Sequence, residues 1–195
     1  MSITMIFQRG MRNMNQRIYN MVMIALFAAL IAVLAQVTIP LPFVPITGQT
    51  LAIGLTATIL GTRHGSMAVG LYVLMGAIGL PVYAQMSGGA GVVMGPTGGF
   101  IISFVPMAFV IGKYIEKKGQ TVTQAFMANL IGTVLSLCIG TVWLKFIAEL
   151  SWQAAFLSGF APFVIVGIIK SYMAAWGGIT LLKRLPARNV QKQYS

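Results

Sequence analysis

A single lysine stands inside a long apolar run near the end of the chain. Lys170 lies in GFAPFVIVGIIKSYMAAWGG, about 13 residues before the basic pair Lys183 and Arg184, a distance of ~20 Å at helical rise. An ammonium group at that depth of a bilayer costs ~2.5–3.5 kcal/mol on insertion scales and calls for a compensating partner. The chain has two acids, Glu116 and Glu149, both near segment ends. The missing anion is therefore read as a ligand's, with snorkelling of Lys170 to the outer interface as the alternative. Phe163, Gly167 and Lys170 fall at i, i+4 and i+7 on one helical stripe. An aromatic ring, a close-approach glycine and a cation suit a small, partly apolar carboxylate.

Two further stretches have binding chemistry without charge. Residues 79–100, GLPVYAQMSGGAGVVMGPTGGF, hold seven glycines and two prolines in 22 residues, which predicts a loop that cannot continue as a helix. Gly-Gly pairs let backbone approach a ligand, while Pro81 and Pro96 restrict φ on either side. Residues 37–50, VTIPLPFVPITGQT, are punctuated by prolines and end in Thr47, Gln49 and Thr50. Catalytic chemistry has no comparable support. The acids are far apart in topology, His64 stands beside Arg63 without other metal ligands, and Cys138 has no evident base. No G-x-x-x-x-G-K-[ST] occurs, so ATP hydrolysis by the P-loop route is excluded.

The elements that position these groups follow from composition. The 195 residues are 57% hydrophobic and 8% charged, with a mean hydropathy of +0.86, which describes an integral membrane protein. At ~20 residues per pass the expected fold is all-α with six transmembrane helices: about 18–36, 51–61, 66–80, 100–115, 121–147 and 154–182. Pro162 should bend the last helix or sit in its first turn. Thr62 to Gly65 is expected to form a tight turn, and Cys138 to be a small buried hydrophobe. Asn129, Thr133, Ser136 and Gly140, at i, i+4, i+7 and i+11, predict a stripe of interhelical hydrogen bonds.

Charge sets the orientation. The net charge of +11 would suggest nucleic acid in a soluble protein; here its distribution marks the cytoplasmic side. With the N-terminus inside, six passes put 11 of the 13 basic residues in the cytoplasm, leaving only Lys145 and Lys170. The expected organisation is a basic cytoplasmic segment 1–17, one membrane domain 18–184 and a cytoplasmic tail 185–195. Both glycine- and proline-rich loops then cap a pocket on the outer face, beside a turn at 148–158. Ala25, Ala29 and Ala32, with Ala28 and Ala35 alongside, give the first helix a nearly flat face, suited to docking a partner helix or to packing within the bundle. A binding site without an energy source needs a motor in another chain to accumulate solute.

The segments PLPFVPITGQTL, GAIGLPVYAQMSGGAGVVMGPTGGF, ANLIGTVLSLCIGTVWL and GFAPFVIVGIIKSYMAA, in this order and spacing, resemble the BioY family, the biotin-binding S component of energy-coupling-factor (ECF) vitamin transporters. The resemblance covers roughly residues 20–182. It implies a prokaryotic cell-membrane protein, an outward-facing biotin pocket and a first helix that docks through its alanines on a transmembrane coupling subunit carrying two cytoplasmic ATPases. It implies no catalytic residue, cofactor, metal or nucleic acid. The family's site residues map onto Thr47, Gln49, Ser87, Gly88, Gly89, Gly95, Pro96, Thr97 and Lys170, with Tyr83, Gln85, Phe163 and Trp176 as further contacts. One position departs: the family pattern reads close to PF-x-x-x-D-x-x-K, and Gly167 stands where the aspartate would be. Acceptors for the two ureido N–H groups must then come from Gln85, Gln49, a backbone carbonyl or water, which leaves open a lower affinity or a biotin relative as ligand. A solitary facilitator and, more remotely, a membrane enzyme acting on a lipid are the alternatives.

Overall fold

The computed structural model describes residues 3–184, with side chains from residue 16 onward. The expected tail 185–195 and the side chains of Arg9 and Arg12 lie outside the described residues. The chain is built from helices: α1 (Ile3–Ala35), a helical stretch α2 (Gln49–Ala77), the short α3 (Ala90–Met94), α4 (Gly98–Lys118), α5 (Val122–Ile147), α6 (Trp152–Gly159) and α7 (Ala161–Arg184). Between α1 and α2 the chain makes a minimal antiparallel ladder of β1 (Thr38–Ile39) and β2 (Ile46–Thr47), pairing Thr38 with Thr47 and Ile39 with Ile46.

α2 is a hairpin and not one rod. Gly61 has φ 72° and ψ −170°, a conformation open essentially only to glycine. The arms 49–60 and 62–77 double back on each other, so that Gln49 hydrogen-bonds Tyr72, although 23 residues of continuous helix would separate them by ~35 Å. The expected turn at Thr62–Gly65 is thus corrected: the reversal is made at Gly61, and Thr62 already begins the next helix. Its first free N–H is capped by the carboxylate of Glu116, with Thr62 N donating to Oε1 at 2.7 Å, a charge placed favourably at a helix N-terminus. Gly112 of α4 allows this approach, since a Cβ there would meet the Thr62 backbone.

Gln16–Ala35, Gly98–Lys118, Val122–Ile147 and Trp152–Arg184 are long and apolar enough to cross a membrane; the two arms of α2 are shorter and lie between α1, α4 and α7. α4 packs on α5 and α2, α7 packs on α2 and α5, and α1 leans chiefly on α2. The polar stripe of α5 does face its neighbours. Asn129 donates to Thr58 Oγ1 at 3.1 Å, Thr133 meets Ser171 at 3.2 Å and Ser136 meets Ser103 at 2.6 Å. Gly140 lies against the Phe100 ring. Cys138, midway between Ser136 and Gly140, is turned outward and exposed, which corrects the expectation of burial: on a helix whose polar side packs inward, the apolar side is left for lipid.

Other boundaries shift for local reasons. α1 begins at Ile3 and runs through the basic segment expected to precede it. Within the central loop, Ala84–Met86 forms a 3-10 turn and Ala90–Met94 the helix α3. The expected 148–158 turn contains most of α6, capped by Ser151, whose Oγ accepts from Ala154 N at 3.2 Å. Pro162 sits in the first turn of α7, where its missing N–H has no intrahelical partner to lose. Because the Thr62 backbone leaves no room for a side chain at Gly112, Gly112→Ala is expected to lower the melting temperature in detergent by roughly 4–8 °C. Gly70→Ala, at a position with nothing within 4 Å of the added atom, should leave it nearly unchanged.

Candidate functional site

At the end of the bundle where 37–48 and 79–97 meet, the helices enclose a cavity of about 310 Å³, at the lower end of the ~300–1,000 Å³ range of small-ligand sites. One wall is Leu41 to Pro45 of the β1–β2 connection, followed by Thr47, Gln49 and Thr50. A second is Tyr83, Ala84, Gln85 and Ser87 of the central loop. Phe100, Ile101 and Phe104 of α4, Thr133, Ser136 and Leu137 of α5, and Phe163 and Lys170 of α7 complete it.

Lys170 is the cation of the lining, and no carboxylate is among the lining residues. Its Nζ donates to the Thr47 carbonyl at 2.6 Å and reaches Thr50 Oγ1 at 3.5 Å. A carbonyl compensates part of the desolvation of an ammonium without neutralising it, so the positive charge remains available to an anion in the cavity. Thr47 is held for this task from two directions. Its backbone is in the ladder with Thr38, and its hydroxyl donates to Gln49 Oε1 at 2.8 Å. Gln49 in turn donates through Nε2 to Tyr72 OH. Gln49 is thereby occupied on both ends by protein and buried.

The apolar wall has an aromatic frame. Tyr83 is buried, its OH donating to the Val73 carbonyl at 2.6 Å and its ring packed edge-on to Tyr72 with centroids 5.6 Å apart. Gly76 makes room for that ring, because a Cβ there would run into it. Phe163 and Phe100 lie 6.2 Å apart at the mouth of α7. Their partner in polarity is Ser136, whose hydroxyl reaches Ser103 at 2.6 Å, while Ser103 donates to the Phe100 carbonyl at 2.6 Å. With the Ser103 proton committed to the Phe100 carbonyl, Ser136 donates to Ser103 and keeps lone pairs that can accept.

Of the residues singled out in the sequence, Thr47, Gln49, Tyr83, Gln85, Ser87, Thr97, Phe163 and Lys170 line this one cavity. Gly88, Gly89, Gly95, Pro96 and Gly167 do not. Gly88 is packed on the Leu80 carbonyl, Gly89 turns the chain with φ 98° and Pro96 is exposed. Gly95 gives its carbonyl to Trp143 Nε1 at 2.9 Å. Gly167 is buried behind the wall, where a Cβ would stand 3.0 Å from Thr133 Cγ2. Trp176 points away from the bundle and is 59% exposed. The alanines of α1 divide: Ala25 and Ala29 are exposed, Ala32 is half-buried and Ala28 is fully buried against the core.

Sequence reasoning missed Gln36, Trp143, Thr133 and Ser136 as parts of the site. The last two were visible only as interhelical residues. Trp143 anchors the second half of the central loop through Gly95 and lies against Gly98 and Gly99; a tryptophan within a lipid-spanning run gives no sign of which backbone it holds. Trp143→Phe keeps the ring and removes the donor, so hydrogen exchange of residues 91–97 is expected to rise about tenfold. Exchange across 36–45 should stay as in the unmodified protein.

The BioY family model matches residues 9–187. The biotin transporter BioY2 of Lactococcus lactis subsp. cremoris is 42% identical over 175 residues, covering 90% of this chain and 96% of that protein. The biotin transporter BioY of Thermotoga maritima is 40% identical over 158 residues, covering 81% and 92%. Among solved structures, the crystal structure of the S-component for biotin from an ECF-type ABC transporter superposes with a TM-score of 0.85 at 25% identity, covering 93% of this chain and 98% of that one.

Proposed function

The chain belongs to the BioY family, and from that premise we propose that it is the substrate-capturing subunit of a biotin uptake system energised by other chains. It is a multi-pass membrane transport protein and not an enzyme. The observation that carries the reading is Lys170: a cation in an uncharged cavity, tied to the Thr47 carbonyl and lacking an acid. Biotin has the complementary chemistry, with a carboxylate on an aliphatic chain and a bicyclic head whose ureido group offers two N–H donors.

In this arrangement Lys170 takes the carboxylate through a charge-assisted hydrogen bond. Tyr83, Phe100, Phe104 and Phe163 bury the thioether ring and the aliphatic chain. Gly167 removes the carboxylate that the family pattern would supply to the ureido N–H groups; the Ser136 hydroxyl oxygen, with its proton committed to Ser103, and the exposed Gln85 amide are acceptors that can stand in for it. Neutral acceptors form weaker bonds than a carboxylate, so retention depends more heavily on the Lys170 end and on closure of the loops.

The orientation follows the basic residues. Arg63, Lys113, Lys117 and Lys118 gather at the Gly61 end of the α2 hairpin, away from the cavity, and Lys183 and Arg184 close α7. Six passes, counting each arm of α2, put that end in the cytoplasm and the cavity toward the outside. The partners in this reading are an ECF transmembrane coupling subunit and two cytoplasmic ATPases, engaged through the exposed small face of α1. Ala25 and Ala29 lead that face, while Ala28 supports it from within.

Two experiments separate the parts of the proposal. Lys170→Ala should weaken equilibrium binding of biotin to the purified chain by about 10–100-fold, and biotin methyl ester should bind the unmodified chain with a similar loss. Combining the two should add little, since both delete the same interaction; fully additive losses would show that Lys170 does not meet the carboxylate. Ala29→Trp should leave binding intact and abolish concentrative uptake in cells that supply the coupling subunits. Undiminished concentrative uptake would put the docking face elsewhere, whereas uptake that only equilibrates, with or without the coupling subunits, would favour a solitary facilitator.

A further inference from the structure

Gln36 follows the last residue of α1 and is half-buried. Its side-chain amide faces the central loop across almost 50 residues of sequence. Nε2 donates to the Tyr83 carbonyl at 3.1 Å and approaches that of Val82 at 3.5 Å, while staying bonded to Ala32 O of its own helix at 3.0 Å. Oε1 accepts from Met86 N at 2.9 Å. One amide thus grips both ends of the turn whose residues Tyr83, Ala84, Gln85 and Ser87 form a wall of the cavity.

That turn is closed upon itself, and its start is anchored on α2 by the side chain of Tyr83. Tyr83 N donates to Ser87 O at 3.0 Å, and Ser87 returns bonds to Ala84 O through both N and Oγ. Among the described residues, the hydrogen bond that fastens 84–87 to another element is the one Met86 N donates to Gln36 Oε1. Gln85 and Met86 are held there at φ 58° and 55°, a left-handed pair that non-glycine residues leave when unrestrained. The residues that follow Gln36 touch the opposite wall, since Val37 O accepts from Gly48 N at 2.9 Å and Thr38 pairs with the Lys170-bound Thr47.

We propose that Gln36 is a latch: a positioning residue, not itself in the cavity lining, whose amide holds the 83–87 turn closed over the ligand and sets how long the ligand stays. The proposal rests on the biotin-binding reading above. Its chemistry makes a specific demand of the side chain, which must donate at one atom to a carbonyl and accept at the other from an N–H. Leucine supplies neither. Glutamate supplies the acceptor, but as a carboxylate it presents a second lone-pair oxygen to the Ala32, Val82 and Tyr83 carbonyls; once protonated it regains the donor.

The test is the rate at which labelled biotin leaves the purified full-length chain, with hydrogen exchange of residues 83–87 followed on the ligand-free protein. Gln36→Leu is expected to release biotin about tenfold faster at any pH and to raise exchange of 83–87. Gln36→Glu is expected to release fast at pH 8 and to slow toward the wild-type rate as pH falls, against a wild type measured over the same range. A purely structural defect would not recover on protonation. Wild-type binding of biotin is the check on the proposed function: its absence overturns that reading and the latch's part in retention. A wild type that binds, with release unchanged in both variants, overturns the latch alone. Should neither variant fold, the wild type still decides: a Met86 amide exchanging like an unprotected loop amide overturns the latch, and a protected one supports it.

Discussion

A single unpaired ammonium group governs the upper half of this molecule. Lys170 sits ten residues into α7, where a bilayer surrounds the bundle, and burial of a charge must be answered by hydrogen bonds or by an opposite charge. The protein answers with a carbonyl, Thr47 O at 2.6 Å, and puts no carboxylate in the cavity lining. Holding that carbonyl in place requires the β1–β2 ladder, the Thr47–Gln49–Tyr72 chain and therefore the reversal of α2 at Gly61, because Gln49 and Tyr72 belong to its two arms. The site and the hairpin are one construction.

The rest of the cavity is shaped by what glycine permits. Gly76 lets Tyr83 lie flat on α2, Gly140 admits Phe100, and Gly98 and Gly99 let α4 start against Trp143. These are close approaches of ring to backbone, for which only a glycine leaves room. The polar wall is economical by comparison. Ser136, Ser103 and Phe100 O form a hydrogen-bonded chain in the cavity wall, without the carboxylate that a residue other than Gly167 could supply.

Much of this was legible in the sequence, for reasons that can be named. Lys170 stood out because a charge in an apolar run has so few physical explanations. The two uncharged loops were found by glycine and proline, whose backbone constraints are intrinsic, and the α5 stripe by its spacing, which the helix preserves. What remained hidden depends on partners chosen by the fold. Gln36 is an ordinary glutamine at a helix end until the 83–87 turn arrives beside it. Trp143 is one more apolar residue until Gly95 is within reach. Alanine is small on either side of a helix, so Ala28 could not be told from Ala25 and Ala29 before α2 packed against it. Cys138 was misplaced for the same reason, since an apolar residue in a membrane helix can face protein or lipid. The reversal at Gly61 was displaced by a few residues because the polar cluster that follows it reads more strongly as a turn than a lone glycine does.

The central claim is that Lys170 meets the carboxylate of biotin while the aromatic frame holds its rings. An experimental structure of the chain with biotin bound tests it most directly. The account predicts a carboxylate oxygen at ~2.7–2.9 Å from Lys170 Nζ, the bicycle between Tyr83 and Phe163, and a ureido N–H directed at Ser136 or Gln85. Biotin bound the other way round, with its ureido oxygen on Lys170 and its carboxylate toward the loops, would contradict it.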